Sequence, residues 1–289
     1  MARGAIYGAL EWQLDNHPAP VRTHVDSAWG PLLLMPLVLP HYTVVKVLTV
    51  RTQTNPTLQG ALLVLDTSSG EPLALLDGAT VTGLRTAALA AVATELLAFE
   101  RTTVTVIGAG YQARFHVTAM ADLPGVRRIR LYNRTPSRVA SLREHLNASL
   151  AVPLQVVSTI PDATRDADVI TLITGAKSPL INRSLVSSTI HINAMGAYLP
   201  DHRECSSDVV LNDRTFADRL DQVLQEAGDL VIPIREGSLI PDRVHSLASL
   251  LGFGPRLDPG ITLFKSVGSA EFDAFFAMTV MEQWASRGA

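Results

Sequence analysis

Apolar residues recur with two different periods along this chain, and the change of period separates two kinds of structure. From Thr43 to Val50 and from Gly60 to Leu65 the sequence is rich in Val and Leu, with turn residues Asn55, Pro56, Ser69 and Gly70 bounding the runs. Such runs predict strands of one sheet. Between Thr82 and Phe99, Ala, Leu and Val fill nearly every position not taken by Arg85, Thr86, Thr94 and Glu95, and neither Pro nor Gly follows Gly83. That predicts a mostly buried helix. Beyond Glu100 the order becomes strand (Thr103 to Ile107), glycine turn (Gly108 to Gly110), helix (Tyr111 to Leu123) and strand (Arg128 to Tyr132). This is a βαβ unit of about 30 residues. Short apolar runs follow at Leu154 to Val157, Val169 to Thr174, Thr189 to Asn193 and Val209 to Leu211. Their alternation with helix-compatible or turn segments predicts an α/β fold with a doubly wound parallel sheet. Ser269 to Trp284, with Phe272, Phe275, Phe276, Thr279 and Val280 near helical spacing, predicts a last helix that returns to the first domain.

Length and charge narrow the ligand class. At 289 residues, two domains or one large one with an excursion are expected. The 24 basic against 27 acidic side chains leave a net charge of −3, so no broad positive field exists to attract nucleic acid. Small molecules become the expected partners. The single cysteine, Cys205, can form no internal disulfide and no thiolate metal site, and a reducing cytoplasm is the expected compartment. Trp29 to Pro40 is the most apolar early stretch, yet Pro31 and Pro36 break it and it falls short of the roughly 20 residues a membrane helix needs. The first residues, with Arg3 and then Glu11 and Asp15, do not read as a signal peptide.

The glycine turn carries the first specific chemistry. Gly108-Ala109-Gly110-Tyr111-Gln112-Ala113 has the form G-x-G-x-x-A, between a strand and a helix. The first Gly permits the tight turn, the second lets backbone N–H groups approach a pyrophosphate, and the small Ala113 allows close helix–strand packing. A dinucleotide is therefore expected there, with its anion at the helix N-terminus. At the end of the second strand, where NAD enzymes place a carboxylate for the ribose hydroxyls, this chain has Asn133-Arg134-Thr135 and then Arg138. A guanidinium pairs with a 2′-phosphate that a carboxylate would repel, so NADPH is expected over NADH.

Three cations in the first domain are the candidate substrate ligands. Lys46 interrupts an apolar strand, Arg85 stands beside Thr86 in the alanine-rich helix, and Arg22 lies between Val21 and Thr23 in a Pro-rich segment. Together they could hold a carboxylate and leave an adjacent carbon open to hydride transfer; separation in sequence leaves their convergence open. His41, His116, His191 and His202 are each more readily structural than proton donors, with His202 beside Asp201 the best placed. Cys205 has no adjacent base to make it a nucleophile, and Asp162, Asp166 and Asp168 lack the glycine spacing of a calcium loop, so no metal is expected.

Several ordered motifs resemble the ornithine cyclodeaminase and mu-crystallin family from about Ala19 to the C-terminus. They are Lys46 in its strand, Gly70-Glu71-Pro72-Leu73-Ala74-Leu75-Leu76-Asp77-Gly78, Arg85-Thr86-Ala87-Ala88, the turn from Gly108 to Ala113, Ile192-Asn193-Ala194-Met195-Gly196, and Thr262-Leu263-Phe264-Lys265-Ser266-Val267-Gly268. The resemblance implies a Rossmann domain, residues 100–265, inserted into a smaller α+β substrate-binding domain, residues 1–99 with 266–289, that forms a homodimer. It implies that Arg22, Lys46 and Arg85 are substrate-carboxylate and catalytic cations. Arg85, Thr86, Gly108, Gly110, Tyr111, Gln112 and Ala113 would serve the cofactor phosphates, and Thr174, Met195 and Val267 its ribose or nicotinamide.

Two departures select a branch. Members that cyclise ornithine carry an acidic residue shortly after the Asn-Ala-x-Gly turn, where this chain has Tyr198, and Asn133-Arg134-Thr135 resembles the NADPH-using ketimine reductases. By resemblance the expected activity is an oxidoreductase acting on C=N, reducing Δ1-pyrroline-2-carboxylate or Δ1-piperideine-2-carboxylate to L-proline or L-pipecolate. An alanine-dehydrogenase-like enzyme, an ornithine cyclodeaminase and a mu-crystallin-like NADPH-binding protein are the alternatives. Against the family pattern, an N-terminal helical segment looks missing and the loop between Lys46 and Gly60 looks short.

Overall fold

The computed structural model describes residues 1–15, 17, 20–51, 54, 56–146, 150–210, 214–252 and 258–288. Asn55, Leu211 and Ala19, which entered the sequence reading as bounds of segments, lie outside the described residues. In chain order the elements begin with α1 (Ala2–Leu14), β1 (Thr23–Val25), β2 (Leu32–Val38), β3 (Tyr42–Val50), β4 (Leu58–Asp66), β5 (Pro72–Asp77) and α2 (Gly78–Leu97). Then come β6 (Thr103–Ile107), α3 (Ala113–Ala121), β7 (Arg128–Tyr132), α4 (Pro136–Leu146), β8 (Leu154–Val156), α5 (Ile160–Thr164) and β9 (Val169–Leu172). The chain continues through β10 (Ile190–Ala194), α6 (Ser207–Val210), β11 (Thr215–Ala217), α7 (Leu220–Glu226), α8 (Gly228–Arg235), β12 (Val244–Ser246), β13 (Ile261–Lys265) and α9 (Ala270–Gly288). Two compact units result, Met1–Ala88 with Gly268–Ala289, and Leu89–Val267.

The first unit is built on an antiparallel sheet in the order β1-β2-β3-β4-β5. Alternation decides its two faces. Met35 and Leu37 of β2, Val44 of β3, and Leu62 and Val64 of β4 point inward, where they pack with Ala5 of α1 and Ala270, Ala274, Phe276 and Ala277 of α9. Helix α1 was not expected. Its Gly4 and Gly8 are weak helix formers, and what holds it is the burial of Ala5, Ile6, Ala9 and Leu10. The opposite sheet face carries Val38, Val47, Leu73 and Leu75, all of them exposed.

The second unit holds a parallel sheet in the order β12-β11-β13-β10-β9-β6-β7-β8. The order reverses between β6 and β9, the switch point of a doubly wound sheet. Every residue of β6, β9, β10 and β13 is buried, as strands covered on both faces must be. The α/β class and doubly wound sheet expected from the sequence are therefore present. One expected strand is not: Val209 and Val210 belong to helix α6, opened by the polar run Ser206-Ser207-Asp208, and both valines are buried. An apolar pair is too short for its period to distinguish strand from helix.

Candidate active site

In the first unit, strand alternation turns Lys46 inward with Val44, Leu48 and Val50. Its Nζ lies 2.9 and 3.0 Å from the two carboxylate oxygens of Asp273, in the first turn of α9. Arg85 Nε donates to the same carboxylate, 2.9 Å from Oδ1. Lys46, Arg85 and Asp273 are all buried, as is Arg22, even though Val21 and Thr23 on either side of it are exposed. Two of the cations that the sequence left unconnected, Lys46 and Arg85, thus converge on one carboxylate that sequence reading missed, and the charge of Arg22 is felt at Lys46. Gly268, with φ of +79°, makes room for this: a Cβ there would lie 2.7 and 2.9 Å from the Nη atoms of Arg85.

Burial pushes Lys46 down to about 8; Asp273 opposes the shift, while Arg85 and Arg22 add to it. For Asp273, burial alone would raise the carboxyl, but Arg85 and Lys46 outweigh it and hold it below the ordinary carboxylate range. One carboxylate facing several cations leaves an excess of positive charge in a desolvated place. Such a site favours an anionic ligand and supplies an ammonium poised to exchange its proton near neutral pH. The hydroxyl of Thr86, the residue after Arg85, is buried with no partner among the described residues.

The second unit carries the glycine turn at the switch point. Gly108, with φ of +125°, follows β6 directly, and a Cβ there would strike the carbonyl of Ile173, 2.7 Å away. Gly110 faces open space, and Ala113, fully buried, opens α3. Gln112 is the N-cap of α3 and its Oε1 is buried without a partner among the described residues. Tyr111 packs against Phe115, and the Arg114 guanidinium lies 4.3 Å above its ring. A glycine turn at the head of a helix fits a pyrophosphate, and the buried Gln112 oxygen fits a hydroxyl or water donor brought by a bound dinucleotide.

Arg134 and Arg138 are exposed, while Asn133 is half-buried and donates to the Thr135 carbonyl at 3.2 Å. Arg134 and Asn133 line an open cavity of about 570 Å³, together with Tyr132, Arg143 and Ser158. Thr174 follows β9 and bonds through both its N–H and hydroxyl to Glu204, at 2.7 and 2.8 Å. Met195 and Val267, at the carboxyl ends of β10 and β13, are partly buried against the two cores of this unit.

Two other candidates, His191 and Cys205, fall to structural roles by their burial. His191 is fully buried, bonded to Thr262 and Asn193, and pushed by burial down to about 4. Burial also raises the Cys205 thiol well above its usual range, so it is inert as a nucleophile. His202 retains its Asp201 partner at 2.7 Å. Among the described residues no cluster of ligating side chains could hold a metal.

The profile of the ornithine cyclodeaminase/mu-crystallin family matches residues 4–288. This chain belongs to that family. Within the family it is 31% identical to a Δ1-pyrroline-2-carboxylate reductase of Bacillus cereus, covering 98% of this chain and 92% of the relative. It is 35% identical to a Δ1-pyrroline-2-carboxylate reductase of Colwellia psychrerythraea, over 80% of this chain and 75% of the relative. Among solved structures, the Thermococcus litoralis Δ1-pyrroline-2-carboxylate reductase in complex with NADH and L-proline superposes with a TM-score of 0.92. It shares 29% identity and covers 100% of this chain and 94% of its own. The family profile and the Thermococcus litoralis structure span the N-terminus as well, where α1 supplies the helix that the motif comparison left out.

Proposed function

We propose that this member of the family is an oxidoreductase acting on C=N that reduces Δ1-pyrroline-2-carboxylate or Δ1-piperideine-2-carboxylate to L-proline or L-pipecolate, with NADPH as its cofactor. The observation that carries the reading is the buried Lys46–Asp273–Arg85 cluster with Arg22, an anion-favouring site around an ammonium of lowered pKa. Arg22 and Arg85 hold the substrate carboxylate, which fixes the adjacent ring C=N. Lys46 in its ammonium form gives its proton to the imine nitrogen, making the ring carbon electrophilic. NADPH, when bound, supplies the hydride that this carbon accepts.

On the nucleotide side, the turn from Gly108 to Ala113 would take the pyrophosphate, and the family resemblance makes Thr86 a further phosphate ligand. Arg134, supported by Asn133, Thr135 and Arg138, would take the 2′-phosphate. Thr174, Met195 and Val267 would serve the ribose and nicotinamide. Tyr198, where ornithine-cyclising members carry an acid, favours imine reduction over deamination. The exposed apolar sheet face supports a homodimer formed through the first unit.

NADPH absorbance with freshly made cyclic imine tests the reaction, run beside pyruvate with ammonia and ornithine with NAD. Consumption with the cyclic imine alone is expected. Activity only with ammonia and pyruvate, or only with ornithine, would overturn the reading.

A further inference from the structure

The mechanism above leaves unused the most heavily charged interior of the second unit. Glu204, Asp229 and Lys265 are each completely buried. Sequence patterns gave no reason to single out the two acids. Three ionisable groups out of water cost several kcal/mol each unless specific partners compensate, so their connections indicate what they do.

Glu204 faces two loops at once. Its Oε1 accepts from the Thr174 N–H and hydroxyl, on the loop after β9. Its Oε2 accepts from the N–H groups of Gly196, at 2.7 Å, and Ala197, at 3.3 Å, on the loop after β10. Asp229, in the first turn of α8, receives the Glu204 and Cys205 N–H groups, both at 2.8 Å, on Oδ1. Its Oδ2 lies 2.8 Å from Lys265 Nζ, at the end of β13. Lys265 also donates to the Ala197 carbonyl at 2.5 Å, so Ala197 is gripped at both its N–H and its C=O. The loops abut so closely that a Cβ on Gly196 would lie 2.1 Å from the Thr174 carbonyl oxygen.

We propose that Glu204, backed by Asp229 and Lys265, is a positioning residue that sets the loops carrying Thr174 and Gly196–Ala197 for the nicotinamide half of the bound dinucleotide. This rests on the proposed function above and deepens it. In a doubly wound sheet, ligands meet the carboxyl ends of strands beside the switch point, and these loops are the exits of β9 and β10. The glycine turn after β6 handles the phosphates; the Glu204 loops lie on the other half of the strand order, beyond β9. A carboxylate fits better than an amide, because every group it meets here is a donor. Glutamine would turn an NH2 towards one of the two loops and push it away.

Glu204→Gln tests this in the full-length protein. The dissociation constants of NADPH and of its nicotinamide-free fragment, 2′-phospho-ADP-ribose, are measured by calorimetry beside kcat with the cyclic imine. The expected variant binds the fragment within about twofold of wild type, yet loses about 10- to 100-fold in kcat and weakens towards NADPH. Glu204→Asp, which keeps the charge but shortens the reach, is expected to fail in the same direction by less, and it carries the test if the glutamine variant does not fold. Equal losses for fragment and dinucleotide, or a kcat unchanged in either variant, would overturn the positioning role. Absence of imine turnover by wild type would count against the proposed function alone, since the two binding constants still decide the role of Glu204.

Discussion

A lysine with no exposed surface must either give up its proton or be held by charge, and Lys46 is poised between the two. If its ammonium is the proton donor, kcat/KM should be flat at neutral pH and fall as pH rises through about 8, where that proton is lost. Lys46→Met should lower kcat by about 10²- to 10⁴-fold without abolishing the fold. Asp273 raises the Lys46 pKa, so Asp273→Asn should move the falling limb of the pH profile to lower pH. The same change should cost about 3–5 kcal/mol of stability, because it leaves buried cations uncompensated. A profile that stays put in the asparagine variant would remove Asp273 from the account. Arg134 makes a separable prediction: Arg134→Asp should weaken NADPH binding about 10- to 100-fold, the worth of a lost charge-assisted hydrogen bond, and change NADH binding little. Equal losses for both cofactors would mean that Arg134 does not read the 2′-phosphate.

At the scale of elements, the loop from β13 into α9 joins the backbone to the site. Gly268→Ala would force a methyl group into the Arg85 fork at a backbone conformation that alanine resists, so substrate KM should rise well before stability collapses. An unchanged KM would show that Arg85 can move without consequence. These elements differ in how far they can be read from sequence. Strand β3 and helix α2 announce themselves because long apolar runs leave few alternatives, and β6 and β7 because a glycine turn and a helix stand between them. Helix α1 does not, since its stability comes from packing on α9 rather than from its own glycine-containing sequence. Strands β11 and β12 are too short to show a period. Asp273 stays hidden for another reason: it is bound to Lys46 across 227 positions, and only the folded sheet brings the two together. Glu204 likewise acquires its meaning from two loops that it joins in space.

For the whole molecule, the uncovered sheet face is the feature that a lone chain leaves unexplained. Leu75 on β5 is 72% exposed and Val38 on β2 64%, on the same side of the sheet with β3 and β4 between them. A patch of this kind is what an isologous interface buries. Leu75→Glu should convert a sedimenting dimer into monomer at micromolar concentration while leaving each chain folded; a monomeric wild type would overturn the dimer. The division of labour between the units is the larger consequence. In the proposed function one unit would hold an anion and a proton, and the other carries the glycine turn for a dinucleotide, so the proposed chemistry depends on a substrate that offers a carboxylate beside its C=N bond.

That dependence gives the most direct measurement: kcat/KM of the wild-type protein with NADPH for Δ1-pyrroline-2-carboxylate against Δ1-pyrroline, the same ring without its carboxylate. The account predicts rapid turnover of the first and a loss of about 100-fold or more for the second, as buried charged hydrogen bonds go unmade. Equal rates for the two rings, or none for the carboxylated one, would contradict it.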